Sequence, residues 1–224
     1  MLLVPGFMAG DTTLKAMSVF LRHEGFRTYR AQIHVNAGCT RQAADHLEVR
    51  LESIATRRNR KVTIVGHSLG GMLARGLASR RPDLVEGIVS MGSPVLAPGA
   101  IHKVLAWDAQ MLAKLTRAGF GGMMSADCFG GECARVSWEE SQKPLDAELA
   151  FTAIYSKRDG IVDWRACLDP SADQIEVPTS HCGMAVDPIV MDHVLAALRG
   201  QHVRRATREA APDVEVGSLR VAHT

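Results

Sequence analysis

The chain has 224 residues, 46% of them hydrophobic and 22% charged, enough to bury a core in one ordinary domain without disulfides or metals. A formal net charge of +2 gives no strongly basic face of the kind a nucleic-acid binder needs. No run approaches the roughly 18 consecutive apolar residues of a membrane span.

Leu2–Val4 is a short apolar run closed by Pro5-Gly6 and reads as a buried strand. Because no basic segment or long apolar run precedes it, a signal peptide is not visible and a cytoplasmic location is expected. Asp11 or Thr12 is placed to cap a helix that shares Leu14, Met17, Phe20 and Leu21 on one face. Arg27–Ile33 suggests a second strand. A polar helix from about Thr40 to Arg58 follows, with Ala44, Leu47, Leu51 and Ile54 at helical spacing.

The clearest strand is Lys61–Val65, followed after a glycine-rich turn by a helix over Met72–Arg80 that stops near Pro82. Val85–Met91, Ala153–Ser156 and Gln174–Val177 read as further strands, and Val186–Leu198 as a last amphipathic helix. Continuous apolar strands between helices predict a three-layer α/β fold whose sheet, of about six strands, is mostly parallel.

Two stretches break the rhythm. Residues of about 95–148 form an insertion without strands, with an apolar stripe at Ile101, Val104, Leu105, Met111, Leu112 and Leu115 that Asp108 interrupts. The insertion is read as lid-like, its stripe serving either an acyl chain or ordinary packing. Residues 200–224 are charged and weakly patterned and read as a loosely packed tail on a domain of residues 1–199.

The chemistry centres on Gly66-His67-Ser68-Leu69-Gly70-Gly71. A G-x-S-x-G match alone has an appreciable chance rate. Here a β-branched strand runs directly into it and a small-residue helix runs out, the context of a nucleophile elbow. Such a turn leaves the Ser68 oxygen exposed at the carboxyl end of the sheet, where open α/β sheets place their sites. The plainer alternative is a glycine-rich turn with an incidental serine.

A serine hydroxyl needs a base to remove its proton, and in this arrangement the partners follow in the order acid, then histidine. His102, His181, His193, His202 and His223 lie downstream. His181, in Pro178-Thr179-Ser180-His181-Cys182-Gly183, falls in the loop between the last strand and the last helix, where a sheet-end base belongs. The acid should follow the preceding strand, in Ser156-Lys157-Arg158-Asp159-Gly160-Ile161-Val162-Asp163. Asp159, nearer the strand end, is preferred, with Asp163 as the alternative. Two backbone N–H groups should face the developing oxyanion: Leu69, and Phe7 from the Pro5–Gly10 loop, with Met8 as its alternative.

Together these segments resemble the α/β-hydrolase superfamily, in particular its small bacterial lipases and esterases. The likeness rests on the loop after the first strand, the Gly66–Gly71 elbow, Tyr155-Ser156…Asp159…Ile161-Val162, and Ser180-His181, and it spans about residues 2 to 198. It implies a triad of Ser68, Asp159 and His181, with oxyanion donors at Phe7 and Leu69. Pro5 stands where many members carry His, and strands that precede the first one in larger members are missing. His67 is given a structural role.

The five cysteines suit small buried hydrophobes in a reducing compartment. The four-residue gap between Cys128 and Cys133 is not a usual zinc spacing, and whether they pair is left open. No metal and no cofactor is expected. The leading expectation is a serine hydrolase cleaving carboxylic esters of small-molecule substrates through an acyl-enzyme. Alternatives are acyl transfer or thioester or amide cleavage with the same triad, and a non-catalytic binding protein on the same scaffold.

Overall fold

The computed structural model describes residues 1–96 and 132–210. Six strands, β1 (Leu2–Val4), β2 (Tyr29–Arg30), β3 (Val62–His67), β4 (Val85–Met91), β5 (Ala150–Tyr155) and β6 (Asp173–Glu176), form one sheet. They lie in the order β2-β1-β3-β4-β5-β6, and every neighbouring pair is parallel. Among the described residues five α-helices flank the sheet: α1 (Lys15–His23), α2 (Thr40–Arg58), α3 (Leu69–Arg80), α4 (Glu132–Gln142) and α5 (Pro188–Ala210).

The period-2 alternation of strand side chains divides the core in two. On one face Leu2, Val4, Ile64 and Ile88 pack with Leu47 and Leu51 of α2 and Leu73 and Leu77 of α3. On the other, Leu3, Val65, Val89 and Ile154 pack with Met17 and Leu21 of α1 and Val190, Val194 and Leu198 of α5. Burial on both faces accounts for the mainly apolar central strands β3, β4 and β5.

Several element bounds differ from the sequence reading. Of Arg27–Ile33 only Tyr29–Arg30 pairs as strand, because the next two N–H groups, of Ala31 and Gln32, bond the Asp11 carboxylate at 3.1 and 2.9 Å. Asp11 therefore reaches across to this segment and caps no helix; a 3-10 turn at Asp11–Leu14, preceded by Gly10, leads into α1 without a side-chain cap. Gly200 does not end the last helix. α5 continues to Ala210, and Gln201 is buried, accepting a hydrogen bond from Thr63 Oγ1 at 3.2 Å. The first part of the supposed tail is thus helix, while residues 211–224 lie outside the described residues, as do the apolar stripe of the insertion and Cys128.

The two ends of the insertion are stitched together. Gln142 donates to the Val95 carbonyl at 2.8 Å, and the Leu96 N–H donates to Ala166 O at 3.0 Å. α4 packs along α3, where Ser79 donates to the Glu140 carbonyl and Arg80 bridges Asp45, Glu48 and Glu140. Beneath them lies a buried ion pair, Arg75 Nε to Asp169 Oδ2 at 2.5 Å, with Arg75 Nη1 also donating to Lys143 O at 3.3 Å.

Candidate active site

β3 pairs with β4 as far as His67 opposite Met91, and the chain then turns sharply into α3. Ser68 occupies that turn at φ 53°, ψ −121°, a conformation that costs a non-glycine residue roughly 1–3 kcal/mol. Its N–H donates to Met91 O at 2.8 Å, and its carbonyl accepts from the Gly71 N–H at 3.0 Å. The turn fits only because α3 begins against β1: a Cβ on Gly70 would stand 2.2 Å from the Val4 carbonyl oxygen. Ser68 is half-buried and lies at the carboxyl end of the sheet.

Asp159 follows β5 and His181 follows β6, both at this same end. His181 Nδ1 and Asp159 Oδ2 are 2.6 Å apart, with side chains only 7% and 1% exposed. The second carboxylate oxygen of Asp159 accepts from the N–H groups of Ile161 and Val162, both at 2.8 Å. Burial acts to raise the Asp159 pKa, but the His181 and backbone hydrogen bonds outweigh it and hold the carboxyl below its ordinary range. This leaves Asp159 ionised, an acceptor for an N–H on His181 Nδ1.

Asp163 is occupied otherwise. Its side chain is 47% exposed and accepts from the Arg165 N–H at 3.0 Å, capping a 3-10 turn at Trp164–Cys167. The structure brings Asp159, and not Asp163, to His181.

His67 links Ser68 to the histidine loop. Its Nε2 donates to the His181 carbonyl at 2.9 Å, and the two rings lie 4.9 Å apart. Burial and the neighbouring His181 lower its pKa to about 4, so His67 is neutral. Among the described residues no hydrogen bond joins Ser68 Oγ directly to the His181 ring; their elements meet through His67.

The loop after β1 borders the serine. A Cβ on Gly6 would stand 3.0 Å from Ser68 Cβ and 3.2 Å from His67 O. Within this loop the N–H of Met8, the alternative oxyanion donor, donates to Asn36 O at 3.0 Å. The Phe7 N–H has no acceptor among the described residues, and Leu69, at the first position of α3, has no acceptor within the helix.

Two residues of the site escaped the sequence reading. Asn36 is buried and donates from Nδ2 to Pro5 O at 3.0 Å. Gly92, just past β4, has φ +57°, and a Cβ there would lie 3.1 Å from His181 Nδ1 and 3.2 Å from Asp159 Oδ2. A glycine directly after an apolar strand was the available signal for Gly92; nothing in the local sequence marks Asn36.

Among the described residues no cluster of His, Cys, Asp or Glu is arranged to hold a metal ion, and no helix is long and apolar enough to cross a membrane. Cys167 and Cys182 are free thiols. Burial first, then Asp159 and Asp163, pushes the Cys167 thiol up to about 12, so it stays protonated at neutral pH.

Residues 22–125 match the family described as alpha/beta hydrolase fold. A triacylglycerol lipase of Vibrio cholerae serotype O1 (strain ATCC 39315 / El Tor Inaba N16961) is 36% identical over 97 residues. That match covers 40% of this chain and 30% of the lipase. The mature form of a Bacillus licheniformis lipase superposes with a TM-score of 0.66 at 14% identity, covering 88% of this chain and 90% of that one. A monoacylglycerol lipase of Paleococcus ferrophilus gives 0.57 at 14% identity, covering 91% and 93%. A thermophilic esterase of Thermogutta terrifontis gives 0.56 at 18% identity, covering 90% and 89%. The chain has the α/β-hydrolase fold and resembles bacterial lipases and esterases.

Proposed function

We propose that this α/β-hydrolase-fold chain is a serine hydrolase that cleaves carboxylic esters through an acyl-enzyme on Ser68. The observation that carries the reading is the buried 2.6 Å contact of Asp159 with His181, set beside a serine held at positive φ. Those features are what a nucleophile with an oriented base requires.

In this reading His181 Nε2 takes the Ser68 proton as Oγ bonds the ester carbonyl carbon. The carbonyl oxygen becomes an oxyanion, bound by the Phe7 and Leu69 N–H groups, with the dipole of α3 favouring the charge. Asp159 stabilises the imidazolium without taking its proton. Collapse breaks the bond to the leaving alkoxide, which receives the proton from His181. Water, deprotonated by the same nitrogen, then releases the acid and restores Ser68.

The lipase and esterase relatives favour an ester over a thioester or amide as the substrate. A panel of p-nitrophenyl esters, acyl thioesters and anilides tests this. The reading expects turnover of esters that Ser68→Ala abolishes. Preferential turnover of thioesters, or Ser68→Ala as active as the wild type, would contradict it.

A further inference from the structure

We infer that Asn36 is a positioning residue for the oxyanion-binding backbone, holding the Phe7 N–H against Ser68; this rests on the serine-hydrolase reading above. Asn36 grips the loop after β1 on both sides of Phe7. Before it, Asn36 Nδ2 donates to the Pro5 carbonyl at 3.0 Å; after it, the Asn36 carbonyl accepts from the Met8 N–H at 3.0 Å. A third bond, Asn36 N–H to Ala9 O at 2.8 Å, closes the far end.

The clamp has consequences for which groups face the serine. Met8 sits at φ 56°, a conformation that bulky side chains avoid, and its N–H is turned to Asn36. Pro5 has no N–H to offer. Phe7 follows Gly6, whose Cβ position is 3.0 Å from Ser68 Cβ, and its N–H has no acceptor among the described residues.

Asn36 reaches this loop from the far side of β2, 31 residues away in sequence, and the residue is 3% exposed. The segment that carries it is itself fastened, by Asp11 accepting from the Ala31 and Gln32 N–H groups. A buried amide that spends its donor on a carbonyl two residues before the oxyanion N–H fixes that N–H before substrate arrives, which is what electrostatic preorganisation demands.

The test is steady-state kinetics of Asn36→Ala and Asn36→Leu on an ester that the wild type turns over, together with inhibition by an alkyl boronic acid, whose adduct with serine bears the same anion. For a positioning role, kcat falls at least ~10-fold while KM changes by less than ~3-fold, and the boronate inhibition constant rises in step with the loss of kcat/KM. Thr63→Val is the control: it removes the buried bond to Gln201 and lowers Tm without changing kcat. Asn36→Leu keeps the side-chain volume should Asn36→Ala fail to fold. Folded variants with wild-type kcat, or with KM alone raised, overturn the assignment to Asn36 and leave Ser68 untouched. A wild type that turns over no ester overturns both readings.

Discussion

His67 donates its ring N–H to the main-chain carbonyl of His181 at 2.9 Å, so the residue preceding the serine anchors the backbone of the histidine that faces it. The bond needs a proton on Nε2, and burial keeps the ring neutral by lowering the His67 pKa to about 4.

The sign of the resulting pH dependence follows from linkage. Above about pH 6.5 His67 is neutral in both folded and unfolded chains and contributes nothing to the slope. Between about 6.5 and 4 the unfolded chain binds a proton that the folded one refuses, so stability falls as pH falls, by ~3 kcal/mol across the window. Urea denaturation at pH 7 and pH 4.5 should show this loss in the wild type and a smaller one in His67→Gln. Equal losses in both proteins would contradict it.

Gly92→Ala should damage activity more than stability. The added methyl would press on His181 Nδ1 and Met184 Sδ at 3.1 Å and on Asp159 Oδ2 at 3.2 Å, in a backbone at φ +57°. Displacing the pair by a fraction of an ångström is expected to lower kcat/KM ~100-fold or more, with ~1–3 kcal/mol lost from stability. Ester kinetics beside thermal unfolding separates the two; an active, destabilised variant would show that the pair tolerates the methyl.

The two acidic residues of one loop should part cleanly. Asp159→Asn is expected to reduce kcat by ~10⁴, because the amide no longer selects the Nδ1–H tautomer of His181. Asp163→Ala should cost only the cap on the Trp164–Cys167 turn, ~1 kcal/mol, and leave kcat near that of the wild type. The reverse order of effects would make Asp163 the acid.

Arg75 and Asp169 are a buried pair, with side chains 8% and 2% exposed. Removing one partner strands the other charge, so Asp169→Leu should destabilise by ~3–5 kcal/mol, while Arg75→Met with Asp169→Leu should recover much of that. Denaturant melts of the single and double variants check it. A double variant no more stable than the single would indicate that the bond of Arg75 to Lys143 O carries the effect.

The sheet was legible because its central strands are largely apolar on both faces, a pattern that burial on both faces favours. Val62–Val65 and Val85–Met91 show it most clearly. Bounds set by tertiary contacts were not legible. Gly66 and His67 extend β3 because β4 continues to pair with them, and Gly200 stays helical because Gln201 packs against the sheet. At the site, Ser68 announces itself through glycine spacing, a purely local signal. Asp159 and His181 are candidates by their order along the chain, an order that Asp163 shares; the contact of Asp159 with His181 and the capping bond of Asp163 are tertiary and local geometry that the order does not carry. Asn36 acts at 31 residues' separation, through a carbonyl that every residue possesses, and leaves no local trace.

The most direct measurement of the central claim is intact-protein and peptide mass spectrometry after exposure to a fluorophosphonate. A single adduct is expected on the wild type, mapped to Ser68, and none on a folded Ser68→Ala. An adduct at another residue, or equal labelling of the two proteins, would contradict the assignment of Ser68 as nucleophile.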